Sequence, residues 1–244
     1  MILVFDIGNS NIHIGLYDKG KLRKIKICPR KDGLPENFLK KSFIKKNIKG
    51  AGIASVVPEM NYELSRFLKK NFAINPFFVN YKIRMPVIIA YKNLGADRIA
   101  NINGAYIRYK SDLIVFSIGT AITGDVVSKT GIHYGGLIMP GFETQLWSLR
   151  QKTALIKKVA LGNSAPLLGK NTNECVLSGI INGIKFSVEG FIAKTRRIYK
   201  KDFLIIATGG NADKFCQLMP GIDKCDTDLT IYGIYQLYRQ NVKN

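Results

Sequence analysis

Acidic residues are scarce in this chain. Its 244 residues carry 17 Asp and Glu against 37 Lys and Arg, a formal net charge of +20. Such a field attracts nucleic acid, anionic membrane or phosphorylated small molecules. The basic residues are interspersed with apolar ones, as in "GKLRKIKICPRK", "LKKSFIKKNIKG" and "KTRRIYKK", with no basic tail, no RGG-type segment and no zinc-finger spacing. That pattern reads as a Lys-rich solvated surface, and a nucleic-acid partner is not expected. No apolar run approaches the ~18 residues of a membrane span, so no membrane association is expected. The N-terminus enters a strand-like "ILVF" without the basic region of a signal peptide, which makes the cytoplasm the expected compartment. The four cysteines, Cys28, Cys175, Cys216 and Cys225, match no zinc or redox spacing and read as reduced thiols in or near the core. There is no low-complexity segment and no Pro/Ser-rich linker. The P-loop and the GxGxxG fingerprint are both missing, which excludes those two nucleotide folds.

What is present is an ordinary globular composition, 46% hydrophobic and 22% charged, in a length that suits one large domain or two modest ones. The chain repeats a phrase. "ILVFDIGNSNIHIG" at residues 2–15 and "LIVFSIGTAITGD" at 113–125 both run four apolar residues into Phe-X-Ile-Gly, with Asp6 as X in the first copy and Ser117 in the second. Period-2 and period-3.6 patterns predict strands over 2–6, 11–17 and 22–28, a helix near 35–46, strand 52–57, helix 59–71 and strand 77–80. An amphipathic helix is predicted to begin close to Asp97, from the spacing of Ile99, Ile102, Ala105 and Tyr106. The second copy opens a strand meander, followed by a helix around 142–151 and a long helix from Asn171 to Lys201. Small residues in that long helix (Ser178, Gly179, Gly183, Ser187, Gly190) imply close packing against another helix. A strand, a glycine turn capped by Asn211 or Asp213, and helices to about 241 complete the chain. Two α/β halves opening on one phrase suggest a duplicated domain, 1–110 and 111–244, with the seam near 108–113.

Three glycine turns each follow an apolar strand. In "DIGNSN", Gly8 lets backbone approach a ligand, Asn9, Ser10 and Asn11 offer short donors, and Asp6 places a carboxylate nearby. Phosphate and hydrated Mg²⁺ need such equipment, although a plain β-hairpin would use the same residues for its turn. The second is "SIGTAIT", with Thr120 and Thr123; the third is "ATGGNADKF", with Gly209 and Gly210.

On these motifs the chain resembles the type III pantothenate kinases, members of the superfamily of acetate and sugar kinases, Hsc70 and actin. The family's Asp-X-Gly-Asn-Thr stands here as "DIGNS", its Gly-Ala-Asp-Arg unchanged as Gly95-Ala96-Asp97-Arg98, and its second phosphate motif as "SIGTAIT" followed by "GGLIMPG" at 135–141. "GKNT" at 169–172, leading into "SGIINGIKFSVEG", is similar to the family's dimer-forming helix region. The resemblance implies two duplicated actin-like (ribonuclease H-like) domains, mixed sheets flanked by helices, with the ATP cleft between them. It implies ATP-dependent phosphorylation of pantothenate, the first step toward coenzyme A, by a homodimer. Asp6, Ile7, Gly8, Asn9, Ser10, Asn11, Ile12, His13 and Thr120 would take ATP, with Asp6 near Mg²⁺ through water. Tyr91, Gly95, Ala96, Asp97, Arg98 and Thr172 would hold pantothenate. The resemblance makes Asp97 the general base, where the residues alone favour a helix N-cap or first-turn carboxylate.

Two positions depart from the family pattern. Only "KNL" separates Tyr91 from Gly95, where the family has a longer, Pro-containing spacer. Ser117 stands where the family has an Asp associated with K⁺ or NH₄⁺, so weaker cation binding is expected; Asp125 in "TGD", on the following strand, reads either as partial compensation or as a plain turn or strand-end Asp. A rival reading from another class is a catalytically weakened relative acting as a regulatory or nucleic-acid-associated accessory protein.

Overall fold

The computed structural model describes residues 1–30, 33–156, 159–162 and 164–242. The chain divides into two compact units, Met1–Lys110 with Gly131–His133 and Asp228–Asn244, and Ser111–Thr130 with Tyr134–Thr227. In chain order the first unit holds β1 (Ile2–Ile7), β2 (Asn11–Asp18), β3 (Lys21–Pro29), α1 (Glu36–Phe43), β4 (Gly50–Ser55), α2 (Pro58–Phe72), β5 (Phe77–Phe78) and α3 (Ala96–Tyr109). Then come β6 (Leu113–Ile118), β7 (Ala121–Val127), β8 (His133–Pro140), α4 (Phe142–Lys152), α5 (Thr172–Tyr199), β9 (Leu204–Thr208), α6 (Ala212–Leu218), β10 (Lys224–Cys225) and α7 (Leu229–Asn241).

The first sheet runs β3-β2-β1-β4-β5 and the second β8-β7-β6-β9-β10, so each reads 3-2-1-4-5 in its own numbering. In both, the first strand is antiparallel to the second and parallel to the fourth. The repeated phrase is therefore a repeated sheet: two mixed five-stranded sheets with flanking helices, as the sequence predicts. The central strands read as apolar runs because both faces are covered, with Leu3, Val4 and Phe5 buried in β1 and Leu113 to Phe116 buried in β6. The edge strand β3 exposes Lys21, Arg23 and Lys24 alongside Ile25 and Ile27, and those charges disfavour edge-to-edge pairing.

On one face of the first sheet, Leu39 and Phe43 of α1 and Met60, Leu64, Phe67 and Leu68 of α2 close a core with Phe5, Ile14 and Ile53. Helix α7, counted with the second half in the sequence reading, packs in the first unit. A Cβ on Gly50 would run into the Tyr238 hydroxyl, and one on Gly233 would run into the Ala100 carbonyl of α3. Tyr17 and Tyr235 stack at 3.7 Å between centroids. Those glycines exist to let the last helix lie on β4 and α3. The predicted strand 52–57 shifts to Gly50–Ser55 for a related reason. Pro58 occupies the first turn of α2 and takes Val57 as its N-cap, leaving strand pairing to the glycines before it.

In the second unit Val176, Ile180, Ile181, Ile184 and Val188 of α5 pack with Phe116, Phe142 and Phe215. The Asn171 side chain accepts from the Glu174 amide at 3.0 Å and Glu174 accepts from the Lys170 amide at 2.8 Å, which sets the helix start. Among the described residues, the close packing predicted at its glycines is not met: added Cβ atoms at Gly179, Gly183 and Gly190 would meet open space. By length and composition α5 is apolar enough to cross a membrane, with a mean hydropathy of 1.4 over its best 18-residue window. Its buried face belongs to the second core. Asn211 precedes α6 without a side-chain cap, contrary to expectation, and Asp213 instead accepts from the Cys225 thiol at 3.6 Å. The two-residue strand β10 has no signal in the sequence.

Candidate functional site

The hairpin between β1 and β2 ends at the Ile7–Ile12 pair, and the Gly8 amide closes it on the Asn11 carbonyl at 3.0 Å. Asn9, Ser10 and Asn11 are exposed at its tip. The tip is tied to the end of β3: the Arg30 amide donates to the Ser10 carbonyl at 2.8 Å and Arg30 Nε to the Asn9 carbonyl at 2.7 Å. Asp6 pairs with His13 on one side and Ala54 on the other. Burial, and then the negative charge of Asp97, push its carboxyl up to about 7. Burial also lowers the His13 imidazole below its ordinary value.

Asp97 sits in the first turn of α3, whose N-cap is Gly95, so of the two structural alternatives it is the first-turn carboxylate. A Cβ on Gly95 would lie 2.7 Å from Asp97 Oδ1. The glycine is the space the carboxylate occupies. Arg98 is buried (5% exposed) and donates from Nη1 to the Tyr91 hydroxyl at 2.8 Å. Burying a guanidinium is costly unless its donors are used, so this contact locks both partners. The short "KNL" spacer therefore still delivers Tyr91 to the Gly-Ala-Asp-Arg segment.

The loop that carries Tyr91 is pinned from two sides. Ile88 exchanges backbone bonds with Gly131 (2.8 Å) and His133 (2.9 Å), and the Ala90 amide donates to His133 Nδ1 at 3.4 Å. Asn103 of α3 accepts from the Val87 amide at 3.2 Å and donates to the Ile99 carbonyl at 2.8 Å. The sequence reading missed Asn103, His133 and Arg30, since none stands in a recognisable motif. A polar residue inside an otherwise apolar helix stripe was the only available hint, at Asn103.

The first unit thus brings together Asp6, Asp97, Arg98 and Tyr91. The remaining predicted residues lie in the second unit. Thr120 is exposed at the β6–β7 turn, where its carbonyl accepts from the Gly141 amide at 2.9 Å and from Thr144 Oγ1 at 2.6 Å. The third glycine turn meets the same place. Gly209 adopts φ +95°, its absent Cβ would stand 2.7 Å from the Ile118 carbonyl, and the Asn211 amide donates to that carbonyl at 3.0 Å. Ser117 pairs with Thr123 and Thr208, matching the place of Asp6 in β1. The buried Thr208 hydroxyl beside it has no hydrogen-bond partner. Asp125, also buried, lies on the same sheet face as Thr123 by the two-residue period of a strand. Thr172 opens α5 and lines a groove of about 870 Å³ with Trp147, Cys175 and Gly179. Among the described residues no three His, Cys, Asp or Glu side chains cluster as a metal cage.

Residues 2–194, which include every one of these positions except Thr208, Gly209 and Asn211, match the sequence profile of type III pantothenate kinases. The chain belongs to that family. Over its full length it is 35% identical to a type III pantothenate kinase of Petrotoga mobilis, covering 99% of that protein. The fold recurs at lower identity. A Campylobacter jejuni protein assigned to the Baf family of transcriptional activators is similar at TM-score 0.65 and 21% identity, with 98% of each chain covered. A ROK family glucokinase from Streptomyces griseus, solved with glucose and AMPPNP, is similar at TM-score 0.56 and 12% identity, covering 98% of this chain and 100% of that one.

Proposed function

We propose that this type III pantothenate kinase homologue transfers the γ-phosphoryl group of ATP to the 4′-hydroxyl of pantothenate, giving ADP and 4′-phosphopantothenate on the route to coenzyme A. The observation that carries the reading is the placement of Gly95-Ala96-Asp97-Arg98 at the start of α3, with the Asp97 carboxylate acting on Asp6. The substrate oxygen bonds to the γ-phosphorus, the bond from that phosphorus to the ADP oxygen breaks, and Asp97 takes the hydroxyl proton. Such a transfer needs positioning and charge stabilisation more than covalent chemistry.

The hairpin from Asp6 to His13 presents Gly8, Asn9, Ser10 and Asn11 to the phosphates of ATP, and Thr120 is a further ATP contact. A divalent cation fits the first unit, because Asp6 is buried with the negative charge of Asp97 acting on it, and a bound cation would offset that charge. Asp6 would hold Mg²⁺ through water; when bound, the ion neutralises charge developing on the phosphates. Arg98, fixed by Tyr91, meets the pantothenate carboxylate, and Thr172 is a further substrate contact. The K⁺ or NH₄⁺ position of the family fits poorly. Ser117 and Thr208 offer hydroxyl dipoles there, and the nearest carboxylate on that face is Asp125. The open glycine face of α5 supports a homodimer, since packing against a second copy would give those small residues a partner. A cytoplasmic enzyme is the corresponding location.

Coupled ADP release with and without pantothenate tests the reading, with Asp97→Asn as control. Pantothenate-dependent ADP release that falls ~10²–10⁴-fold in the variant is expected, with ATP binding kept. No pantothenate dependence would overturn it. The Campylobacter relative's assignment and the +20 charge favour a second reading, a regulatory nucleic-acid-associated protein. Titration with duplex DNA at two salt concentrations separates them: weak, salt-sensitive, sequence-indifferent binding is what surface lysines alone produce.

A further inference from the structure

The hairpin at residues 6–13 contains no Lys and no Arg, and the two carboxylates at its base, Asp6 and Asp97, already repel each other. A polyanion arriving at the turn itself, Gly8 to Asn11, meets only neutral donors of that turn. Among the described residues, a cation is built onto its tip from elsewhere. Arg30, the residue after β3, is half-buried and bound twice to the turn, through its amide to Ser10 and through Nε to Asn9. The register explains the placement: Pro29 stands opposite Asn11, so the next residue comes level with the turn itself. Pro29 has no amide to donate to the ladder and marks the end of β3 on the open edge of the sheet.

We propose that Arg30 is a phosphate ligand of the bound nucleotide, supplying the positive charge that the hairpin lacks. This rests on the reading that the hairpin takes the phosphates of ATP. Anchoring by Nε fixes the plane of the guanidinium, and its two Nη atoms still carry four N–H donors in the fork geometry that suits phosphate oxygens.

A purely structural Arg30 would stiffen the turn and affect every nucleoside ligand alike, which gives the test its contrast. Calorimetric titration of wild type, Arg30→Gln and Arg30→Lys with Mg²⁺-ATP and with adenosine is the measurement, and thermal melts of each variant report its folding. Arg30→Gln is expected to weaken ATP about 10- to 100-fold and leave adenosine within about twofold, as for loss of a charged hydrogen bond. Arg30→Lys should recover part of the ATP loss, since it restores charge without the fork. Unchanged ATP affinity in Arg30→Gln, or equal loss for ATP and adenosine, overturns the proposal while leaving the hairpin as the phosphate site. A wild type that binds ATP no better than adenosine overturns the reading of the hairpin, and this proposal with it.

Discussion

Arg98 reaches back seven residues and donates from Nη1 to the Tyr91 hydroxyl at 2.8 Å, with the guanidinium buried and the ring nearly half exposed. The pair joins a fixed cation to a surface aromatic that His133 supports at 6.4 Å between ring centroids. Removing the hydroxyl takes away one of the contacts that orient the guanidinium without removing its charge. Tyr91→Phe is therefore expected to raise KM for pantothenate about 3- to 10-fold, with kcat and KM for ATP nearly unchanged, in steady-state kinetics. A fall in kcat with KM intact would instead assign Tyr91 to the chemical step.

Gly95 leaves room for the Asp97 carboxylate, as the 2.7 Å approach of a hypothetical Cβ to Oδ1 shows. Its φ of −55° is ordinary, so alanine brings no backbone strain there. Gly95→Ala should displace Asp97 and lower kcat by about 10- to 100-fold, consistent with the sensitivity of phosphoryl transfer to small misplacements. The melting temperature should stay close to that of the wild type. A variant with full turnover would show that the carboxylate has room to move without consequence.

The carboxyl of Asp6 carries a pH signature with a definite sign. In the folded protein it titrates at about 7, against 3.8 for an unperturbed Asp. Between those values the folded state holds a proton that the unfolded state has released, so stability from this group falls as pH rises from about 4 to 7 and is flat above. Asp6→Asn removes the effect. Without nucleotide or Mg²⁺, its melting temperature should exceed that of the wild type by a margin that widens from pH 5 to pH 8, reaching a few degrees. The same variant should lose most of the stabilisation by Mg²⁺-ATP. A margin that stays constant across that range would mean that Asp6 is ionised throughout.

Ser117 occupies in β6 the place of Asp6 in β1, beside the unpartnered Thr208 hydroxyl. Hydroxyl dipoles hold a monovalent cation less strongly than a carboxylate, whose unit charge at ~4 Å with an effective ε of ~20 is worth about 4 kcal/mol. Turnover of the wild type should accordingly be nearly flat in K⁺, measured in Na⁺- and NH₄⁺-free buffer at constant ionic strength. Ser117→Asp should introduce a saturable K⁺ response. Strong K⁺ activation of the wild type would assign the ion to Asp125 or to backbone carbonyls.

Much of this protein is legible locally. Apolar runs ending in Phe-X-Ile-Gly have no stable alternative to buried strands followed by turns, and the duplicate run makes the second sheet a copy of the first. The Gly-Ala-Asp-Arg segment is contiguous, so its four residues are found together wherever the chain goes. Tertiary structure decided the rest, because proximity between distant residues leaves no periodicity to read. Helix α7 has the same amphipathic pattern whichever sheet it covers; the missing side chains at Gly50, Gly104 and Gly233 let it pack in the first unit. Arg30 is one basic residue among 37, and only the register of β3 on β2 brings it to Asn9 and Ser10. Asp6 looks like any strand-end carboxylate in the sequence, and its high pKa arises from burial and from Asp97, which lies far along the chain. Local order was written in residue type and spacing, whereas charge, proximity and desolvation came into being only when the strands closed into sheets.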